Sequence, residues 1–313
     1  MSSSVEGALR ILTVHYNTPT LTSRLAREFP HETPRGRPIF IHVLDNGSEP
    51  ENVRAVQAGL EGLPRVTLQL SDTNLGFGVG NNVLAAGDYV NEGDIFWFLN
   101  SDALPQPGCL ERLEDELDRG TFDIVSPLIY SGEGSDEAIW YCGGTISTRE
   151  MRVRHLMHGA PLPEAPEEPF ETEFITGTSP MMRVSTFRAV GGFPSHYFLY
   201  WEDTFLCWQA RHRGYRLGVV PAARVWHEVG GSSGSGRSET FYYWAARNRF
   251  VFASDIGIPR RRLVVGRGAI ESLRPLAWVL LRERKGRLAK ASAVVRGIAH
   301  GLRTSTSPAG AAN

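Results

Sequence analysis

The sequence is poor in cysteine. Cys109, Cys142 and Cys207 are the three thiols in 313 residues, and none sits in a C-x-x-C pair. An odd, widely spaced set argues against a disulfide framework and fits a reducing cytosol. Long apolar runs are missing as well. LAWVLL (276–281) falls far short of the ~20 residues that a membrane-crossing helix needs. The start, MSSSVEGALR, has no apolar core of the kind a secretory leader carries, so none is expected. There is no internal repeat, and only GGSSGSG (230–236) is low in complexity. Net charge is nearly absent, with 33 Lys and Arg against 34 Asp and Glu.

That balance hides an asymmetry. Between Arg260 and Arg303 stand twelve Lys and Arg against Glu271 and Glu283, which leaves 21 basic and 32 acidic residues elsewhere. A basic arm on an acidic body suggests an anionic partner such as phosphate, lipid headgroups or the protein's own acidic face; a solvated helical surface is the plainer reading. No clear amphipathic apolar stripe is legible in the arm. Nucleic acid is not expected, because aromatics are not interleaved with the charge and Trp278 stands alone. The apolar share, 42%, allows one large core or two modest ones.

The first 130 residues alternate in period. Strand-like runs are RILTVHY (10–16), PIFIHVLDN (38–46), RVTLQLSD (65–72), DIFWFLN (94–100) and FDIVSPLIY (122–130). Helix-like stretches lie near 20–29, 51–62, 80–91 and 108–119. Such alternation predicts an α/β fold, a mostly parallel sheet with helices on both faces. Ligands of such sheets gather at the carboxyl ends of the strands. Polar clusters stand at four of those ends: His15-Tyr16-Asn17, Asp45-Asn46-Gly47-Ser48, Asp72-Thr73-Asn74 and Asn100-Ser101-Asp102. Further on, IWYCGGTIS (139–147) reads as a short strand with a Gly-Gly bend. A helix is expected over 203–213, a strand over 217–226 and an aromatic-rich helix over 239–253. The Gly/Ser loop after His227 reads as a mobile lid or a passive linker.

Four stretches can carry chemistry. In FWFLNSDALP (96–105) a buried-looking strand runs into Asp102, a carboxylate suited to a hard divalent cation that also grips phosphates. Its bland alternative is an N-cap for the helix at 108–119, for which it stands several residues too early. NLGFGVGNN (74–82) imitates a dinucleotide fingerprint, but Asn81 replaces the third glycine and the segment follows the third strand, not the first. Its glycines still permit close backbone approach to an anion. YWEDTFLCWQARHRGY (200–215) places Glu202 and Asp203 in a helix's first turn, where acids either answer the helix dipole or serve as a general base. VVPAARVWHEVGG (219–231) ends a strand on His227, a packed histidine or a metal ligand.

Taken in order, VHYNT, LDNGS, NLGFGVGNN, FLNSD, FITGTSPMMR, VGGFPSHYFLYWEDTFLCWQARHRGY, WHEVGGSS and YYWAARNRF resemble the family 2 glycosyltransferases, in particular their rhamnosyltransferase-like branch with the GT-A fold. The likeness spans about residues 10–250. It implies a GT-A domain over 1–254, with a nucleotide-binding half to about 130 and an acceptor half beyond it. A basic helical arm with a flexible tail follows over 255–313. It implies an inverting glycosyltransferase that moves a sugar from a dTDP- or UDP-sugar to a hydroxyl of a glycan, lipid-linked or natural-product acceptor. His15, Asn17 and Asp45 would hold the nucleobase and ribose. Asn74, Gly76 and Asn82 would line the ribose–diphosphate path, with Ser101 beside them. Asp102 and His227 would hold Mg2+ or Mn2+, and Asp203 would be the catalytic base. Gly177 and Thr178 would border donor sugar and acceptor, with Glu202 adjacent and Trp201 as a sugar platform.

Two departures stand out. Asn100-Ser101-Asp102 offers one carboxylate where many relatives offer two. Phe205 and Gln209 replace an Asp and an Arg that would face each other on a helix, which reads as a lost structural ion pair. The rivals are a sugar nucleotidyltransferase, against which HYNTPTLTSR lacks the expected glycine- and arginine-bearing loop, and a catalytically silent nucleotide-sugar-binding scaffold. The protein is expected in the cytoplasm, with peripheral contact at the inner membrane face through the arm as a further expectation. Aromatics on the Tyr242–Phe252 helix would suit packing or a homodimer.

Overall fold

A computed structural model describes residues 7–228 and 237–304. The Gly/Ser stretch expected as lid or linker, and the tail beyond residue 304, lie outside the described residues.

The chain opens with β1 (Leu9–His15), α1 (Pro19–Arg27), β2 (Ile39–Asn46), α2 (Pro50–Leu60) and β3 (Val66–Ser71). Proline opens both helices, where its missing N–H costs nothing. Val56 and Leu60, one turn apart, seat α2 on the sheet. Next come α3 (Phe77–Ala85), β4 (Ile95–Phe98), β5 (Ala103–Pro105), α4 (Cys109–Arg119) and β6 (Ile124–Ser131). Gly108, not Asp102, stands at the N-cap of α4, which leaves Asp102 free of that duty. Helix α3 starts at Phe77 rather than near residue 80, because Gly76 turns the chain at φ +82°.

The remaining elements are β7 (Ala138–Tyr141), a separate hairpin of β8 (Gly144–Ser147) and β9 (Arg152–His155), β10 (Phe170–Glu171), β11 (Met181–Arg183), α5 (Val184–Val190), α6 (Glu202–His212), β12 (Leu217–His227), α7 (Glu239–Asp255), α8 (Gly266–Arg282) and α9 (Arg287–Arg303). The main sheet runs β10-β12-β6-β11-β4-β1-β2-β3, with β5 also on β12 and β7 also on β6. Strands β1–β4 are parallel, as are β6 and β12, while β11 runs against both its neighbours. The two parallel blocks therefore never pair directly. The segment MMR that joins them is too short to show a strand period in sequence.

β4 lies at the centre of this sheet. Phe96, Trp97 and Phe98 are completely buried, each such apolar side chain contributing roughly 1.5–3 kcal/mol. The Trp97 indole N–H donates to Ser179 Oγ at 2.9 Å, so the one polar atom of the run is satisfied. Apart from the main core, α7, α8 and α9 share a small cluster of Tyr242, Ala246, Val279, Ala293 and Val294. Two glycines bring α9 close: a Cβ at Gly297 would fall 2.3 Å from Tyr243 O, and one at Gly301 2.5 Å from Arg247 O. The aromatics of α7 are thus used in packing within the chain, with Tyr242, Phe250 and Phe252 all buried. No helix among the described residues is long and apolar enough to cross a membrane.

Candidate active site

The carboxyl ends of β1, β2 and β3 converge as expected. Sheet register sets His15 beside Asp45. His15 is fully buried, its Nδ1 lies 2.8 Å from Thr22 Oγ1, and its Nε2 stands 3.4 Å from Asp45 Oδ2. Burial lowers the His15 pKa against the opposing pull of Asp45, and its Nε2 has no hydrogen-bond partner. Asp45 Oδ1 accepts the Ser48 N–H, while Oδ2 has no hydrogen-bond partner. Asn17, in the left-handed region at φ +55°, accepts the Glu49 N–H and the Asn52 amide on its Oδ1. Asn74 Oδ1 accepts the Gly76 N–H, and Asn46 Nδ2 reaches the same oxygen. Gly76 cannot be replaced without rearrangement, since a Cβ there would lie 2.2 Å from Phe198 O. Asn82 hydrogen-bonds Phe193 through both ends of its amide, donating to its carbonyl at 2.6 Å and accepting its N–H at 3.0 Å. Those bonds tie α3 to the 191–193 loop.

Asp102 sits in the turn between β4 and β5. The antiparallel pairing of β5 with β12 sets Ala103 opposite His227, and the Glu228 N–H donates to Asp102 O. Those contacts hold His227 Nε2 3.1 Å from Asp102 Oδ1. Trp140 packs edge-on against the imidazole at 4.9 Å and fixes its plane. Ser101 reaches Thr18 Oγ1 at 3.1 Å, tying the end of β4 to the loop after β1. Among the described residues no three His, Cys, Asp or Glu side chains form a closed metal site. The pair offers two donors, the hard oxygen Asp102 Oδ1 and the imidazole nitrogen His227 Nε2, which fits an ion that takes few protein ligands.

α6 supplies the carboxylates. Phe198, Tyr200 and Trp201 all have φ between 62° and 76°, a run of left-handed backbone that non-glycine residues hold only under constraint. The constraint is Asn248, buried in α7. Its Nδ2 meets the carbonyls of Tyr197, Leu199 and Tyr200 at 2.7–2.9 Å. The loop delivers Asp203 in the first turn of α6, half-buried. Its Oδ2 accepts the Gly177 N–H at 3.0 Å, and its Oδ1 accepts the N–H and hydroxyl of Thr204. Burial raises the Asp203 pKa, and those donors pull against the rise. Glu202, wholly buried with no partner for Oε2, is pushed up to about 8, first by burial and then by Asp203. The two carboxyls titrate as a coupled pair in which both are raised, Glu202 to about 8. The half-buried Trp201 ring packs on Phe252 at 5.2 Å. Phe205 lies buried beside Tyr197, and Gln209 Nε2 donates to Val190 O, so the two residues that replace the family's Asp and Arg are absorbed in packing.

Segment 176–178 joins the two centres. Gly177 N–H binds Asp203, and the next residue's carbonyl, Thr178 O, accepts the Asn100 N–H at the end of β4. Gly177 has room for no side chain, because a Cβ would lie 2.9 Å from the Phe77 ring.

Residues 18–191, more than half of the chain, match the model of the glycosyl transferase family 2. The chain belongs to that family. This glycosyltransferase is 28% identical over 223 residues to the N-acetylglucosaminyl-diphospho-decaprenol L-rhamnosyltransferase of Mycobacterium tuberculosis, covering 63% of this chain and 69% of that protein. It is 28% identical over 195 residues to the pre-mycofactocin glycosyltransferase of the same organism, covering 60% of this chain but 37% of that one. Among solved structures, GalNAc-T7 with UDP, GalNAc and Mn2+ aligns at a TM-score of 0.62 and 15% identity, over 91% of this chain and 53% of that one. The mannosyltransferase PcManGT from Pyrobaculum calidifontis, with GDP-Man and Mn2+, aligns at 0.52 and 15%, over 95% and 76%. The enzyme spans about half the length of the former. These likenesses show the GT-A fold.

Asn248 is the site residue that sequence reasoning did not single out. Its signal was a lone amide within YYWAARNRF, on a helix whose neighbouring positions, Ala246, Phe250 and Val251, are apolar and buried.

Proposed function

We propose that the enzyme is inverting and divalent-metal-dependent, and that it transfers a hexose or deoxyhexose from a dTDP- or UDP-sugar to a hydroxyl of a lipid-linked glycan. The observation that carries this reading is the Gly177–Thr178 segment, which ties the half-buried Asp203 to the strand end bearing Asp102. The relative that acts on a diphospho-decaprenol sugar supports the acceptor class. Asp45, beside His15 and near Asn17, takes the nucleoside. Asn74 and Gly76 border its diphosphate, and Thr178, Trp201 and Glu202 border the sugar and acceptor.

Asp102 and His227 would hold the cation, Mg2+ or Mn2+. When bound it supplies positive charge against the departing nucleoside diphosphate. Asp203 takes the proton of the acceptor hydroxyl while that oxygen attacks the anomeric carbon. The bond to the diphosphate breaks, its electron pair leaves with the nucleotide, and attack from the opposite face inverts the configuration. The sugar passes through an oxocarbenium-like transition state, as in glycoside hydrolysis. The gain from Asp203 is of the size general bases provide, about 10²- to 10⁴-fold.

Calorimetric titration of UDP, dTDP and GDP, each with Mn2+, with Mg2+ and with a chelator, tests the donor side. Selective, metal-dependent binding of one diphosphate is expected. Asp203→Asn should keep that binding and lose transfer by about 10²- to 10⁴-fold. If no nucleotide binds under any condition, the donor-site roles fall; if a nucleotide binds but the parent transfers no sugar, the silent scaffold reading replaces this one; if Asp203→Asn turns over normally, the base lies elsewhere.

A further inference from the structure

Exposed large apolar side chains are concentrated in one part of the molecule. Of thirteen among the described residues, ten lie between Val264 and Leu302. On α8 the inner face, with Ser272 and Val279, is buried against the rest of the chain. The outer face carries Ile270, Leu273, Leu280 and Leu281, spaced so that they form one stripe. Arg267, Arg274 and Arg282 stand along its border. This is the stripe that could not be read from the sequence, because α8 is apolar on two faces and the pattern blurs. The α8–α9 corner is more exposed still, with Leu281 at 78% and Leu288 at 81% of full accessibility. Arg282, Arg284, Lys285 and Arg287 surround it. Arg282 lies over the exposed Trp278 ring at 5.9 Å.

The corner lies beside the catalytic loop. Tyr200, two residues before Glu202, has its ring 5.0 Å from Phe241 of α7. The next residue, Tyr242, donates its hydroxyl to Glu283 Oε1 in the corner itself at 2.8 Å. Glu283 also pairs with Lys290, so its charge is answered locally and the basic excess faces outward.

We infer that the outer face of α8 and the α8–α9 corner dock on an anionic lipid bilayer. The apolar stripe enters the headgroup–acyl boundary, and the arginines and lysine meet lipid phosphate. Apolar side chains bordered by cations are complementary to such a surface, and an exposed Trp suits its interface. The consequence for catalysis is that the 197–203 loop is held at the height of a lipid-linked hydroxyl. The docking deepens the acceptor reading above, but its test does not need turnover.

The full-length enzyme is sedimented with phosphatidylcholine vesicles with and without phosphatidylglycerol. Binding should be roughly tenfold or more tighter to the anionic vesicles. The double variant Leu281→Asp/Leu288→Asp, at two exposed positions, should lose that binding while keeping the thermal midpoint and nucleotide affinity of the parent. Arg284→Glu/Lys285→Glu should remove the preference for phosphatidylglycerol. Equal binding by parent and Asp variant overturns the inference. So does a dimer on gel filtration that the Asp variant dissolves while no vesicle binding is seen, which would make the face a contact between two copies. Vesicle binding with transfer only to soluble acceptors would uphold the surface and overturn the lipid-linked acceptor.

Discussion

Glu202 is a buried carboxyl with an unpaired oxygen beside a second carboxylate, and it holds its proton to about pH 8. A folded-state pKa raised from the ordinary carboxylate range means that the native state binds the proton more tightly than the unfolded chain. Its stabilising contribution is complete below about pH 4.3 and is lost as pH rises through about 8. Glu202→Gln should remove that dependence. Denaturant midpoints of parent and variant should diverge between pH 5 and pH 8 in favour of the variant, and parallel curves would refute the assignment. Asn248 works on the same loop by geometry, not charge. Asn248→Ala leaves three carbonyls without their donor, at about 1–3 kcal/mol for each group that stays buried. The left-handed run then relaxes and Asp203 moves. The expected result is kcat down at least about tenfold, the loss that even a 1.4 kcal/mol misplacement of the base would cause, with nucleotide affinity unchanged. A parallel fall in both would mark a general loss of structure.

At the scale of elements, α7 carries that clamp and α9 holds α7 in place. The approach depends on two glycines one helical turn apart, where helix backbone meets helix backbone. Gly297→Val should force α9 away from Tyr243 and cost about 1–3 kcal/mol in a denaturant titration. An unchanged midpoint would show that the contact is loose. Sequence reasoning saw α7 as an aromatic helix and left packing and dimer formation both open. It could not see the partner, because Gly297 and Gly301 are informative only once α9 is placed against them. β11 escaped for a related reason: in three residues, tertiary pairing decides the conformation and periodicity has no room to show.

At the scale of the molecule, much of the site was legible because strand ends in a parallel sheet are where chemistry collects. Asp102 stood out since four apolar residues run into it; the βα alternation implied a mostly parallel α/β sheet, and the GT-A fold came from the resemblance of the ordered motifs. The bonds of Asn82 to Phe193 were not legible, because a motif position says which residues are near and not which neighbour takes their hydrogen bonds. The mixed order of the sheet has a consequence for synthesis. The block β3-β2-β1-β4 is complete once residue 98 has emerged, and all of its strand pairings are local to that stretch. Its junction to β6 waits for residues 181–183, and β12, which carries His227, arrives later still. A nascent chain therefore shows β4 with one edge open for more than eighty residues of translation, the exposure that makes large α/β proteins prone to aggregation. The carboxylate at position 102 is made 125 residues before the imidazole it meets, so the half-made enzyme lacks the Asp102–His227 pair.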